Sequence, residues 1–86
     1  MCSYVTVPVE IAGSAKGPEG WFTVTAAQVY FDHPFHAPFE HTLNIDFVDR
    51  AQGPSARVAV ELSADSAREL IRSIEAALEA AGPAAL

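Results

Sequence analysis

Hydrophobic and polar residues alternate along most of the chain up to Leu62, and apolar residues then recur at helical spacing. From Ser3 to Ile11, Val5, Val7, Val9 and Ile11 fall on one side and Tyr4, Thr6, Pro8 and Glu10 on the other, the period of two that a strand imposes. Pro8 has no N–H to give to a ladder, so this strand belongs at an edge or beside a bulge. Gly13 to Gly20 reads as a loop by composition. In the next run, Trp21 to Asp32, Phe22 and Val24 are apolar on even numbers but Val29 and Phe31 on odd ones. A one-residue change of phase turns every later side chain to the other face. A β-bulge between Thr25 and Gln28 would keep both halves on one core. The third run, His41 to Val48, sets His41, Leu43, Ile45 and Phe47 against Thr42, Asn44 and Asp46. Asp49 to Ser55, with Gly53-Pro54, predicts a turn. Ala56 to Leu62 predicts a fourth strand, with Val58, Val60 and Leu62 inward and Arg57 and Glu61 outward.

Ser63 opens a helix as N-cap, with Asp65 in the first turn where the helix dipole favours an anion. Ala67, Leu70, Ile71, Ile74, Ala77, Leu78 and Ala81 form one stripe, and Gly82-Pro83 ends it. The order β-β-β-β-α predicts an α+β fold over residues 1–86 as a single domain. It is a four-stranded antiparallel sheet with the C-terminal helix packed on one face. A core this thin favours a homodimer.

Half of the residues are hydrophobic, ample for a folded domain. The formal charge of −6 and the scatter of Lys16, Arg50, Arg57, Arg68 and Arg72 exclude a basic nucleic-acid-binding stripe. The Gly13–Gly20 segment with Lys16 lacks the residue order of a phosphate loop. No apolar stretch approaches the roughly 20 residues that span a bilayer, and the first residues do not read as a signal peptide. The lone Cys2 fits a reducing compartment, hence a cytoplasmic protein.

Candidate chemistry is concentrated in Asp32-His33-Pro34-Phe35-His36-Ala37-Pro38-Phe39-Glu40-His41, which holds all three histidines. His33 extends the row of Val29 and Phe31, and His41 that of Leu43 and Ile45. If Phe31 pairs with Leu43, His33 falls opposite His41, with Cβ atoms about 4.5–5.5 Å apart. Such a pair can share a metal or a substrate. Imidazole and carboxylate suit divalent transition metals. His33, His36, His41 and Glu40 are therefore candidate ligands for zinc first, then copper, iron or manganese. Asp32 is placed to orient a ligating imidazole. Cys2 is a further candidate ligand or nucleophile. In that reading the protein is an enzyme acting on a small organic substrate, with His33 and His41 catalytic and the metal polarising substrate or water. Phe35 and Phe39 either line an apolar substrate pocket or cover the end of the core.

Two other readings use the same residues. In one, the histidines work without metal in an isomerase, cyclase or hydrolase, tuned by neighbouring acids; Asn44 and Asp46 point to the opposite face and would serve only across an interface. In the other, His33 and His41 cap the core by hydrogen bonding, His36 is solvated, and the chain is a non-catalytic binding or dimerisation module.

Gly-Ser-Ala-Lys-Gly, Gly-Trp-Phe, Val-Tyr-Phe-Asp-His-Pro-Phe-His-Ala-Pro and Glu-His-Thr-Leu-Asn-Ile-Asp-Phe, with Met-Cys-Ser-Tyr before them, span nearly the whole chain. Together they resemble a family of short bacterial proteins of unknown function, mostly actinobacterial. The resemblance implies a small cytoplasmic domain with Cys2, His33, His36, Glu40 and His41 at motif positions, and brings no activity with it.

Overall fold

The structure, a computed structural model, describes residues 5–86. Among these residues four strands form one antiparallel sheet in the order β1-β2-β3-β4: β1 Val7–Gly17, β2 Gly20–Asp32, β3 Thr42–Val48 and β4 Arg57–Leu62. The helix α1, Ala64–Ala81, follows, and a short 3-10 turn, Gly82–Ala85, ends the described chain. The α+β architecture is the expected one. Cys2 and Tyr4 lie outside the described residues.

The expected Gly13–Gly20 loop is largely strand. Ser14, Ala15 and Lys16 pair with Thr23, Phe22 and Trp21, and only Pro18-Glu19 turns the chain. Small, polar residues resembled a loop, but the facing Trp21–Val24 segment supplies the partner they need. Gly20 has φ +116°, a conformation that a Cβ would strain.

The bulge is real but sits on the other strand. The register slips between Glu10 and Gly13, so that Ile11 and Ala12 of β1 lie opposite Thr25, while β2 stays regular. The two halves of β2 therefore do face opposite ways. Phe22, Val24 and Ala26 project to one face; Ala27, Val29 and Phe31 project to the other. Val24, Ala26 and Ala27 are all buried, because near the bulge both faces are covered and only alanine fits at two adjoining positions.

Paired residues share a face, which separates two surfaces. The apolar face carries the rows Val7–Val29–Ile45–Val60, Val9–Ala27–Phe47–Val58 and Phe31–Leu43–Leu62. The polar face carries Gln28–Asp46–Ala59 and Tyr30–Asn44–Glu61. The buried Thr42 hydroxyl donates to Asn44 Oδ1 at 2.6 Å. Tyr30 Oη donates to Asp46 Oδ2 at 3.4 Å, and Arg57 Nη2 to Asp46 Oδ1 at 2.9 Å. Burial first, and then the Asp46 charge, push the Tyr30 hydroxyl above its ordinary pKa. The Asp49 turn is tied by its own carboxylate, which accepts from Ala51 N and Gln52 Nε2, and by Arg50 N donating to Thr25 Oγ1 at 3.0 Å.

Ser63 caps α1 as expected: its Oγ accepts from Ser66 N at 3.1 Å. Gly82, with φ 58°, ends it. The helix lies beside β3 and β4, but none of its residues is buried. Ala64 and Ala67 are half-buried, whereas Ile71, Ile74 and Leu78 are 58%, 52% and 54% exposed. Its apolar stripe thus faces the sheet without closing onto it.

Candidate functional site

His33 and His41 come together at the open end of β2 and β3. Their rings stack with centroids 4.7 Å apart and planes 27° from parallel, and His41 stacks in turn on Phe31 at 5.9 Å. The β2–β3 register puts Phe31 opposite Leu43, so the two rings occupy the next step of the apolar face. His33 Nδ1 lies 3.1 Å from the Glu40 carbonyl oxygen. A carbonyl only accepts, so this nitrogen carries the proton. Asp32 Oδ1 accepts from the His33 backbone N–H at 2.7 Å, and so fixes the turn out of β2 rather than the imidazole.

His36, another expected ligand, is elsewhere. Phe35, His36 and Ala37 cross to the polar face, where the Glu61 carboxylate accepts from all three of their backbone N–H groups, at 2.5, 3.1 and 2.8 Å. These bonds, Ala37 and Phe35 foremost, hold the Glu61 carboxyl below its ordinary pKa, and the nearby His36 charge acts in the same direction. No three of His33, His36, Glu40 and His41 converge, and no other group of three or more His, Cys, Asp or Glu among the described residues could hold a metal. The lone pairs of imidazole lie in the ring plane. Two nearly parallel rings therefore aim them side by side rather than at one point about 2.0–2.1 Å from each nitrogen. Phe35 is 94% exposed, beside a shallow depression with His36, Ala37, Arg57, Ala59 and Glu61. Phe39 is exposed as well. Phe35 thus lines the depression on the polar face.

The concavity next to that pair has different walls. Between α1 and the apolar face runs a groove of about 540 Å³. Val29, Phe31, Leu43, Ile45 and Leu62 form its floor, and Ala64, Ala67, Leu70, Ile71 and Ile74 its helical wall, with Arg68 at the side. Phe31 belongs both to this floor and to the ring stack, so the histidine pair adjoins the groove without lining it.

A model of a family of unknown function, DUF6295, matches residues 1–86. The chain belongs to that family. Neither the curated proteins nor the solved structures contain a match to it. No helix among the described residues is long and apolar enough to cross a membrane.

Sequence reasoning located the histidine pair but missed Glu61 and Arg68. Glu61 reads as an ordinary outward strand residue, and only the Asn44–Glu61 pairing reveals that it lies under the connection. Arg68 reads as an ordinary surface position on α1, and it lines the groove because the helix stands off the sheet.

Proposed function

We propose that this DUF6295 protein is a non-catalytic binding module for a small organic molecule with an apolar body. The ligand lies between α1 and the sheet, beside the His33–His41 stack. The observation that carries this reading is the groove of about 540 Å³, apolar throughout except for Arg68. Small-molecule sites run from about 300 to 1,000 Å³ and combine apolar walls with few polar groups. Covering apolar surface contributes about 25 cal/mol per Å², which supports affinity without any reaction.

Arg68 adds direction. One of its N–H groups donates to Asp65 at 3.0 Å, and a guanidinium has five. A ligand carboxylate can take others in a charge-assisted bond. Amphipathic acids therefore rank ahead of neutral apolar molecules.

The test is displacement of the dye anilinonaphthalene sulfonate by decanoate and by decanol, on protein without a His tag. Saturable dye binding displaced more strongly by decanoate is the expected result. Ala67→Trp should fill the groove from its helical wall and abolish binding with an unchanged circular dichroism spectrum. Absence of saturable binding, or binding indifferent to Ala67→Trp, would overturn the proposal. Stoichiometric zinc, copper, iron or manganese in the same preparation would instead assign the histidine pair to a metal site.

A further inference from the structure

The protein exposes more surface than a monomer of its size should. Its accessible area is 6363 Å², whereas a folded monomer of 9.1 kDa has about 4,900 Å². Residues 1–4, counted as wholly exposed chain, would carry only about 700 Å². The excess that remains, about 800 Å², matches what each partner contributes to a standard interface. The radius of gyration agrees, at 14.3 Å against about 12 Å for a compact domain of this length.

The surplus is localised. A helix with its side chains is about 10 Å across and strands lie about 4.8 Å apart, so one helix covers about two strands of four. α1 lies by β3 and β4. On the uncovered half, Val7 and Val9 of the edge strand β1 are 55% and 44% exposed. On the helix, Ile74 and Leu78 are half-exposed too. A strip of valines without a helix and a helical stripe that its own sheet leaves half-exposed belong to the same chain, and two copies satisfy both at once. The groove walls carry no acidic residue.

We propose that two copies associate face to face about a two-fold axis, each laying α1 across the β1–β2 half of the partner's sheet. The contact is isologous, helix stripe to valine row and valine row to helix stripe. The partner helix also roofs the open side of the groove; this last point rests on the ligand-binding reading above.

Light scattering on the full chain across the micromolar range tests the assembly. The wild type should return twice the 9.1 kDa monomer mass. Leu78→Glu and Val9→Lys, at exposed positions of different elements and outside the groove lining, should each give monomers with an unchanged circular dichroism spectrum. Their equimolar mixture should recover dimer, since one contact is then wild type and the other pairs opposite charges. A monomeric wild type, variants that remain dimeric through another surface such as the β1 edge, or a mixture that stays monomeric would overturn the arrangement. Dye binding separates the two proposals. The monomeric variants should bind anilinonaphthalene sulfonate several-fold more weakly. Equal binding would remove the roofing role and leave the ligand site standing, whereas a dimer that binds no dye would remove the ligand site and leave the dimer standing.

Discussion

The two faces of the sheet solve opposite problems. The polar face is closed by its own chain: Tyr30 and Arg57 donate to Asp46, and Glu61 holds three consecutive amides of the β2–β3 connection. These partners lie within the monomer, so nothing further is required of that surface. The apolar face has the larger hydrophobic content and the poorer cover. Its helix stands off, and Val7, Val9, Ile71 and Ile74 meet solvent. Hydrogen-bonding groups can be satisfied in pairs by short side chains, whereas apolar area is satisfied only by more area. A chain of this length with a single helix runs out of area first, so the proposed association and the proposed binding both fall on the unfilled surface.

The sharpest way to break this comparison is to make the same enlargement on both faces. Ala26 projects to the polar face and is wholly buried between Glu10 and Val48. Ala26→Leu has no room and should cost about 1–3 kcal/mol through overpacking. Ala67 lines the groove, and Ala67→Leu should change stability by less than about 0.5 kcal/mol. Urea denaturation of both variants reads the difference. Equal costs would mean that the groove is closed in solution and that the two faces are packed alike.

A smaller effect probes how α1 is held. Because the helix buries no residue, its first turn depends on local capping more than on the sheet. Ser63→Ala removes the acceptor for Ser66 N and should cost about 1 kcal/mol. An unchanged denaturation midpoint with an unchanged slope would show that the helix is secured by packing on the sheet.

The elements were legible in the sequence because period and capping are local. The alternation of Leu43, Ile45 and Phe47, the helical stripe after Ser63 and the Gly82 stop each need only a few neighbours to be read. The histidine pair was legible for the same reason, as two residues extending rows whose register followed from Phe31 and Leu43. What stayed hidden depends on relations between strands. The change of phase in β2 suggested a bulge there, yet β2 is regular and its two halves project to opposite faces, while the inserted residue is on β1, where the alternation of Val7, Val9 and Ile11 gives no sign of it. The Gly13–Gly17 strand is invisible without its Trp21–Val24 partner. His36 could not be separated from His33 and His41 by spacing, since its place is set by Glu61, 25 residues away in sequence. The standing-off of α1 left no trace at all, because an apolar stripe looks the same whether it covers its own sheet or a partner's.

The last prediction acts on the polar face, where the effect on global stability is smallest and the local effect is specific. Glu61 is half-buried, and its carboxylate accepts from Phe35, His36 and Ala37. Glu61→Gln keeps a single neutral acceptor in place of a charged pair of oxygens, so three amides can no longer all be held. Their hydrogen exchange should accelerate, while the denaturation midpoint stays nearly unchanged. Acid should mimic the substitution. The folded-state pKa of Glu61 is lowered, so on acidification the unfolded chain takes up the proton first. The stabilisation is present above the ordinary glutamate range and is lost as pH falls through the lowered folded value. Amide resonances of Phe35, His36 and Ala37 followed by NMR should therefore keep their protection through mildly acidic pH and lose it together below that range. Loss already above the ordinary glutamate range would show that the Glu61 carboxylate does not hold the connection and that the polar face does not close itself.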